Sequence, residues 1–169
     1  SGALSASIEI VISNNSRSPA FEFATAKGIP CRHLSSKTHP DPVLFDLAVC
    51  QALEQSGATL VVTAGYLKKV GINTLSRYPR AVINVHPSLL PRHGGPGMYG
   101  LKVHQAVCDA GEVQTGVTVH YVTEEYDQGQ IIRQSKLEVL NEDNPESLAG
   151  RLLPVEHELL VNVLKELSE

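Results

Sequence analysis

An amide, an imidazole and a carboxylate lie near the ends of predicted strands in this sequence. Asn84 and His86 are two positions apart at the end of the apolar run 81–85, so both side chains should point to the same face of a strand. Asp127 falls in a turn after a second β-rich segment, with Gly129 nearby to allow unusual backbone dihedrals. An amide can donate to an oxyanion, a histidine can transfer a proton near neutral pH, and a carboxylate can orient or relay it. The three residues are therefore predicted to support acyl transfer.

The segment after His86 is predicted to bring a ligand close to the backbone. Pro87 and Pro91 hold the chain rigid, and the glycine-rich run 93–100 lets a ligand approach closely. The sequence has no GxSxG motif, and no cysteine lies in this segment. Direct transfer is therefore favoured over a covalent enzyme intermediate.

Short apolar runs alternate with helical stretches along the chain, which predicts a mostly parallel sheet with helices on its faces. In such sheets ligands bind beyond the carboxyl ends of the strands, where Asn84 and His86 lie. The run 59–63 is typical of a strand buried on both faces. The other predicted strands are 8–12, 81–85, 116–122 and 130–139. The predicted helices are 20–27, a helix capped by Asp41 and ended by Gly57, 101–110, and a long helix that begins after Asn144.

The last helix contains one contrary signal. Its apolar residues recur at intervals of three and four, which places them on one face. Pro154 lies inside this helix and removes a backbone donor, at a cost of about 3 kcal/mol. We therefore expect a kink or a break at Pro154.

The composition is typical of one soluble globular domain of 169 residues, with 42% apolar and 19% charged residues. A net charge of −4 offers no basic field for nucleic acid, and no run approaches the roughly 20 apolar residues of a membrane span. The first seven residues lack the pattern of a secretory signal. Three widely spaced cysteines favour free, buried thiols in a reducing compartment, so a cytoplasmic location is expected.

The remaining histidines are assigned simpler roles. His120 is predicted to be a structural residue of the core or a support for the site, and four others are predicted to lie at the surface: His33, His39, His93 and His157. Histidines together with Asp127 could suggest zinc, but the spacings fit neither HExxH nor CxxC. No metal site is predicted.

Taken together, these motifs resemble the formyl transferase family, whose members use 10-formyltetrahydrofolate as co-substrate. The resemblance rests on Asn-x-His-Pro-Ser-Leu-Leu-Pro at 84–91, the glycine-rich run, His104-Gln105-Ala106 and the segment 120–127, and it extends over nearly the whole chain. The stretch 97–101 is most similar to the branch that formylates glycinamide ribonucleotide in purine synthesis. The resemblance implies an α/β formyltransferase fold, with a Rossmann-like, mostly parallel sheet and helices on both faces, in one domain of residues 1–169.

The resemblance also assigns roles to individual residues. Asn84 and His86 would stabilise the oxyanion on the formyl carbon, and Asp127 would hold His86 and help to move the proton from the attacking amine. The implied folate-binding set comprises Gly65, Tyr66, Leu67, Lys68, Val70, Val122, Thr123 and Asp127. The implied nucleotide-binding set comprises Pro87, Ser88, Gly95, Gly97 and Glu156.

The sequence departs from the family at three places. Lys68 stands where the family has arginine, and lysine keeps the charge but not the planar fork. Pro154 lies two positions before Glu156, and the family does not have a proline there. The family also opens with a strand and a Gly-Ser-Gly-Ser-Asn loop for the substrate phosphate, and this sequence begins near the end of the helix that should follow. Either this sequence is a fragment of a longer chain, or something else fills that place; the partners considered are an N-terminal fragment and a homo-oligomer.

Alternative functions remain open on the residues alone. Hydrolysis of formyltetrahydrofolate would use water in place of the amine, and a sugar amine is a third acceptor. A catalytically silent folate-binding module is the alternative of a different class. The resemblance favours formyl transfer between small molecules, with no nucleic acid, membrane or metal partner.

Overall fold

A computed structural model describes residues 5–168, which form two compact units. The first unit contains residues 5, 62–69 and 82–168, and the second contains residues 6–61 and 70–81. The elements in chain order are β1 (Val11–Ser13), α1 (Pro19–Ala26), β2 (Cys31–His33), α2 (Pro42–Ser56), β3 (Val61–Thr63), α3 (Ile72–Arg77), β4 (Val82–His86), α4 (Leu101–Asp109), β5 (Gln114–Tyr121), β6 (Ile131–Glu138) and α5 (Pro145–Leu167).

A sheet with the strand order β3-β4-β5-β6 organises the first unit. Strands β4 and β5 are antiparallel, and their register places Asn84 opposite His120 and His86 opposite Thr118. Strand β6 adds to β5 in the antiparallel sense, with an irregularity between Val119 and His120. The register therefore places Asn84 and His86 beside the second half of β5.

The core of the first unit lies between this sheet and two helices. Helix α5 packs against β5, β6 and α4. The side chains that fill this core are almost fully buried: Val103, Val107, Val117, Val119, Leu148, Leu152, Leu159 and Val163. The members on α5 recur at intervals of three and four residues, as the sequence predicted. Helix α5 therefore fixes the ends of β5 and β6 from one side.

The break expected at Pro154 is wrong, because α5 runs without interruption from Pro145 to Leu167. Pro154 is exposed, and the backbone carbonyl of Gly150, four positions before it, lacks the N–H donor that any other residue at position 154 would supply. Buried apolar residues hold the helix on both sides of the proline: Leu152 is 1% exposed and Leu159 is 3% exposed. Tertiary packing thus outweighs the missing backbone hydrogen bond.

The second unit contains the parallel pair β1 and β2 together with α1, α2 and α3. Helix α2 begins at an Asp41 cap and ends at Gly57 in the left-handed conformation (φ 76°), as predicted. Buried Asp46 on α2 accepts hydrogen bonds from the backbone N–H of Asn73 (2.8 Å) and from the hydroxyl of Thr74 (2.6 Å). Helix α3 has no side-chain cap at Gly71, so the carboxylate of Asp46 supplies one from another helix.

Two strand predictions need correction. The first strand lies at Val11–Ser13 rather than at 8–12, and the strand predicted at 59–63 is shortened to Val61–Thr63. Burial of that strand on both faces is also wrong, since Val62 is 37% exposed. An apolar run therefore indicates a strand here without fixing how deeply it is buried.

Two smaller predictions concern the thiols and the membrane. Cys31, Cys50 and Cys108 are all free, as predicted, but the predicted burial holds only for Cys50, because Cys31 and Cys108 are partly exposed. Within residues 5–168, none of the helices combines the length and the apolar character that a membrane crossing requires.

Candidate active site

Asn84 lies on β4 with both ends of its carboxamide in contact with neighbours. Its Oδ1 accepts a hydrogen bond from the Thr63 hydroxyl (2.7 Å), and its Nδ2 lies 3.2 Å from Nε2 of His120. His120 is 2% exposed, which confirms the prediction of a core or supporting residue. Asn84 itself is half-buried, so its amide reaches a surface that a ligand can approach.

His120 contacts a backbone carbonyl and two side chains of the site. Its Nδ1 lies 2.9 Å from the backbone oxygen of Tyr121, and because a carbonyl oxygen can only accept, Nδ1 carries a hydrogen. Its Nε2 lies within reach of both the Asn84 amide nitrogen (3.2 Å) and Oδ1 of Asp127 (3.5 Å). The Asn84 amide nitrogen carries two hydrogens, so one can be directed at His120 and the second at another acceptor.

His86 lies at the end of β4 and is 4% exposed. Its Nε2 donates to the backbone oxygen of His93 (2.9 Å), and its Nδ1 lies 3.7 Å from Oδ2 of Asp127. Burial lowers the pKa of His86 below its usual value, although the His93 carbonyl and the charge of Asp127 act in the opposite direction. At neutral pH His86 is therefore an uncharged imidazole whose Nδ1 can accept a proton.

Asp127 occupies the turn after β5 in a left-handed conformation (φ 56°). Its Oδ2 accepts a hydrogen bond from the backbone N–H of Gly95 (2.8 Å), and its Oδ1 lies 3.5 Å from Nε2 of His120. Burial by itself raises the pKa of Asp127, but the contact with His120, the Gly95 amide and the charge of His86 together lower it below its usual value. Asp127 is thus ionised at neutral pH and lies beside both imidazoles.

The loop after β4 is anchored through Glu112, which follows α4. Glu112 pairs with Arg92 (2.8 Å) and with the side chain of His93 (3.3 Å). His93 has a positive φ of 52°, and it turns its carbonyl towards His86. The prediction of a simple surface role for His93 is therefore wrong, since the side chain is only 16% exposed and the backbone holds the His86 ring.

Glycines allow the turn and the loop to come together. A Cβ at Gly129 would lie 1.7 Å from the backbone oxygen of Tyr121, and a Cβ at Gly94 would lie 3.2 Å from Cβ of Asp127. Gly129 does not adopt a positive φ; the left-handed residue of the turn is Asp127 itself. The predicted role of Gly129 is corrected accordingly: it permits a close backbone approach rather than an unusual dihedral.

The predicted folate-binding residues lie in two segments, 65–70 and 122–127. Gly65 adopts a φ of 64° in the turn after β3, and Leu67 is 56% exposed. Val122 donates its backbone N–H to Val82 (2.9 Å), and the Thr123 hydroxyl donates to the backbone of Glu125. Tyr66, Lys68 and Val70 are half-buried.

The predicted nucleotide-binding residues follow β4 or lie on α5. Ser88 is fully buried: its hydroxyl donates to the backbone oxygen of Arg92 (2.6 Å), and its carbonyl accepts from the Thr118 hydroxyl (2.6 Å). Pro87 is half-buried, and Gly95 and Gly97 adopt positive φ angles of 98° and 85°. Glu156 is half-buried on α5, and no described residue forms a hydrogen bond or an ion pair with its carboxylate. Burial raises the pKa of Glu156, while the attraction of His157 lowers it by less.

Sequence reasoning missed three participants. Thr63 holds Asn84, the backbone of His93 holds His86, and the backbone of Gly95 holds Asp127. The last two are main-chain groups and carry no residue-type signal. The sequence did contain a signal for Thr63, because a threonine at the end of an apolar strand lies at the same carboxyl edge of the sheet as Asn84.

His104 is a further buried imidazole near this centre. It lies on α4, is 5% exposed, and its Nδ1 has no hydrogen-bond partner among the described residues. Burial lowers the pKa of His104, and the charge of His86 lowers it further. Among the described residues, no group of three or more His, Cys, Asp or Glu side chains has an arrangement suited to a metal ion.

Comparisons with known proteins agree with this arrangement. A family model described as "Formyl transferase" matches residues 1–164. The chain is 37% identical over 169 residues to the chloroplastic phosphoribosylglycinamide formyltransferase of Arabidopsis thaliana, with 99% of this chain and 58% of that protein covered. The same enzyme of Vigna unguiculata is covered over 54% of its length, so the chain spans little more than half of these curated relatives.

Solved structures share the fold. The crystal structure of phosphoribosylglycinamide formyltransferase from Bacillus halodurans superposes with a TM-score of 0.91 at 33% identity, covering 98% of this chain and 83% of that one. A formyltetrahydrofolate deformylase from Pseudomonas syringae superposes with a TM-score of 0.84 at 29% identity, covering 96% of this chain and 52% of that one. The predicted α/β formyltransferase fold is confirmed by these neighbours.

Proposed function

The chain belongs to the formyl transferase family, and on that premise we propose that it transfers a formyl group from 10-formyltetrahydrofolate to the amine of glycinamide ribonucleotide. The observation that supports this most directly is the cluster in which Asp127 lies 3.7 Å from His86 and 3.5 Å from His120, and His120 lies 3.2 Å from Asn84. A donor amide, an uncharged imidazole and an ionised carboxylate are the groups that direct acyl transfer to an amine requires.

In the proposed reaction, the amine nitrogen of the nucleotide forms a bond to the formyl carbon. The bond from that carbon to N10 of the folate then breaks. The oxygen that becomes negative in between accepts the free N–H of Asn84. Nδ1 of His86 takes the proton from the amine and becomes a donor to the same oxygen, with the Asp127 carboxylate 3.7 Å away to stabilise the charged ring. The proton finally passes to N10, so tetrahydrofolate and the formylated amine leave together.

In this proposal, the remaining site residues bind the two substrates. The loops at 65–70 and 122–127 would hold the folate, and Lys69 already lies over the ring of Tyr126, 5.4 Å from its centroid, which links the two loops. The backbone of the loop after β4 and the carboxylate of Glu156 would hold the nucleotide. These assignments, like the description of residues 1–169 as one functional domain, rest on the resemblance.

The proposal is tested by following the release of tetrahydrofolate from 10-formyltetrahydrofolate with and without glycinamide ribonucleotide. We expect turnover only when the nucleotide is present. Release without the nucleotide would instead support formyltetrahydrofolate hydrolysis, the second candidate, which the similarity to the Pseudomonas syringae deformylase favours. Folate binding without release in either arm would contradict both enzymatic proposals.

Location and assembly are secondary parts of the proposal. Three free cysteines suit a reducing compartment, and we infer the cytoplasm, although the similar Arabidopsis thaliana enzyme is chloroplastic by name. The inferred partners are the two small substrates. A homo-oligomer or an accompanying N-terminal fragment is distinguished by intact mass and light scattering of the purified protein.

Replacing Glu156 with glutamine is expected to weaken nucleotide binding while stabilising the free protein. A carboxylate that accepts hydroxyl hydrogen bonds contributes about 2 kcal/mol, so we expect KM for the nucleotide to rise roughly 10-fold or more. Because the folded-state pKa is raised, ionised Glu156 destabilises the folded protein at neutral pH, and this cost vanishes as the pH falls below the unfolded pKa of about 4.3.

Thermal unfolding of the Glu156→Gln variant should therefore show a higher Tm at pH 7, with the difference from wild type shrinking towards pH 4. The matched control is Glu158→Gln, because Glu158 is an exposed glutamate on the same helix. The control should change neither KM nor Tm appreciably. A wild-type KM in the Glu156→Gln variant would exclude Glu156 from the nucleotide site.

A further inference from the structure

Thr63 occupies the end of β3 and contacts the one side chain whose orientation the proposed reaction needs most. An oxyanion can be stabilised by the N–H of a carboxamide and is repelled by its oxygen. Asn84 must therefore present nitrogen, and not oxygen, to the reacting carbonyl. The two ends of a carboxamide have nearly the same shape, so packing alone does not select between them.

Contacts at both ends of the Asn84 carboxamide make the selection. At the nitrogen end, Nδ2 of Asn84 lies 3.2 Å from Nε2 of His120, whose ring is fixed by the contact of its Nδ1 with the Tyr121 carbonyl. At the oxygen end, the Thr63 hydroxyl donates to Oδ1 over 2.7 Å. The same hydroxyl lies 3.2 Å from the carbonyl of Ile83, which is also only an acceptor, and the shorter contact takes the single hydrogen.

We propose that Thr63 is a positioning residue that holds the Asn84 carboxamide with its second N–H directed at the developing oxyanion. This inference rests on the proposed function, because it assigns a purpose to an orientation that only an oxyanion requires. Without the hydroxyl, Oδ1 loses its donor and the carboxamide is held at the nitrogen end alone. The amide then rotates more freely, and fewer molecules present N–H at the moment of reaction.

The kinetic test compares Thr63→Val with Thr63→Ser. Valine keeps the shape of threonine and removes the hydroxyl, whereas serine keeps the hydroxyl. We expect kcat to fall about 10-fold in the valine variant, with KM for both substrates and folate affinity unchanged, and to recover in the serine variant. A purely structural role would lower the fraction of folded protein and leave kcat per folate-binding site unaltered.

The chain offers a matched control in Thr115 on β5. Its side chain is buried, and its hydroxyl has no hydrogen-bond partner among the described residues. Thr115→Val makes the same chemical change in the same sheet without removing a contact to Asn84, so kcat should remain at the wild-type value. Equal kcat in wild type and Thr63→Val would overturn the proposal, and so would an equal loss in Thr63→Val and Thr63→Ser.

A second readout separates this inference from the proposed function. The side-chain NH₂ signals of Asn84 can be assigned in a nitrogen-15 NMR spectrum as those that disappear in Asn84→Asp. We expect them to shift or broaden in Thr63→Val and to keep their wild-type positions in Thr63→Ser and Thr115→Val. If the wild-type protein does not turn over with the nucleotide, the proposed function fails. Unchanged Asn84 signals in Thr63→Val would overturn the positioning role whether or not the protein is active.

Discussion

The variant His86→Ala is expected to lose most of its turnover, with kcat reduced about 10²- to 10⁴-fold, while folate binding is largely retained. The reduction follows from the loss of the imidazole whose Nδ1 faces the Asp127 carboxylate and whose Nε2 is fixed by a backbone carbonyl. The turnover rate kcat and the equilibrium affinity for folate are measured on the same preparation. Because burial lowers the pKa of His86, wild-type kcat should remain high at neutral pH and decline only below about pH 6.5, the usual histidine pKa.

His33→Ala is the matched control, since His33 is exposed and lies on β2 in the other unit. That variant should keep wild-type kcat and folate affinity. Full activity in His86→Ala would remove His86 from the mechanism. A loss of folate binding equal to the loss of kcat would point to a collapsed site and not to a missing proton acceptor.

Asp127→Asn is expected to reduce kcat about 10²-fold or more and to move the acid limb of the pH profile to lower pH. Asparagine has the same shape and can still accept the Gly95 hydrogen bond, but it removes the negative charge beside His86. That charge raises the pKa of His86, so its removal lets burial lower this pKa further. The pH dependence of kcat in wild type and variant measures the displacement.

The direction of the displacement is the critical part of this test. A carboxylate that served only to hold the turn would be replaced by asparagine with little change in kcat and none in the acid limb. Asp109→Asn is a suitable control, because Asp109 is an exposed carboxylate at the end of α4. An acid limb that moved to higher pH in Asp127→Asn would contradict the assigned contact between Asp127 and His86.

Much of the site follows from strand periodicity and from residue type. The interval of two between Asn84 and His86 predicts one face, and the register of β4 against β5 then places them opposite His120 and Thr118. What periodicity cannot supply is the way in which these side chains are held. The partners of His86 and Asp127 are a carbonyl and an amide of the loop, and any residue type carries those groups.

The fold was predicted correctly where local sequence signals agree with one another. The prediction failed where tertiary packing outweighs those signals. The Asp41 cap and the Gly57 stop define α2 from sequence alone, because each satisfies a local backbone requirement. Pro154 is the opposite case: the local cost of about 3 kcal/mol predicts a break, whereas the buried residues on either side keep α5 continuous. The exposure of Val62 could not be predicted for a similar reason, since the burial of a side chain depends on neighbours that a short apolar run does not specify.

The close approach at Gly129 also limits how this centre could be redesigned. Any side chain there would force the turn that carries Asp127 away from the end of β5, because the Tyr121 carbonyl already occupies the space of a Cβ. Gly95 and Gly97, by contrast, have empty space where a Cβ would be and are restricted only by their positive φ. A library aimed at new acceptors would therefore vary these two loop positions, with asparagine as the least strained choice, and keep residue 129 as glycine.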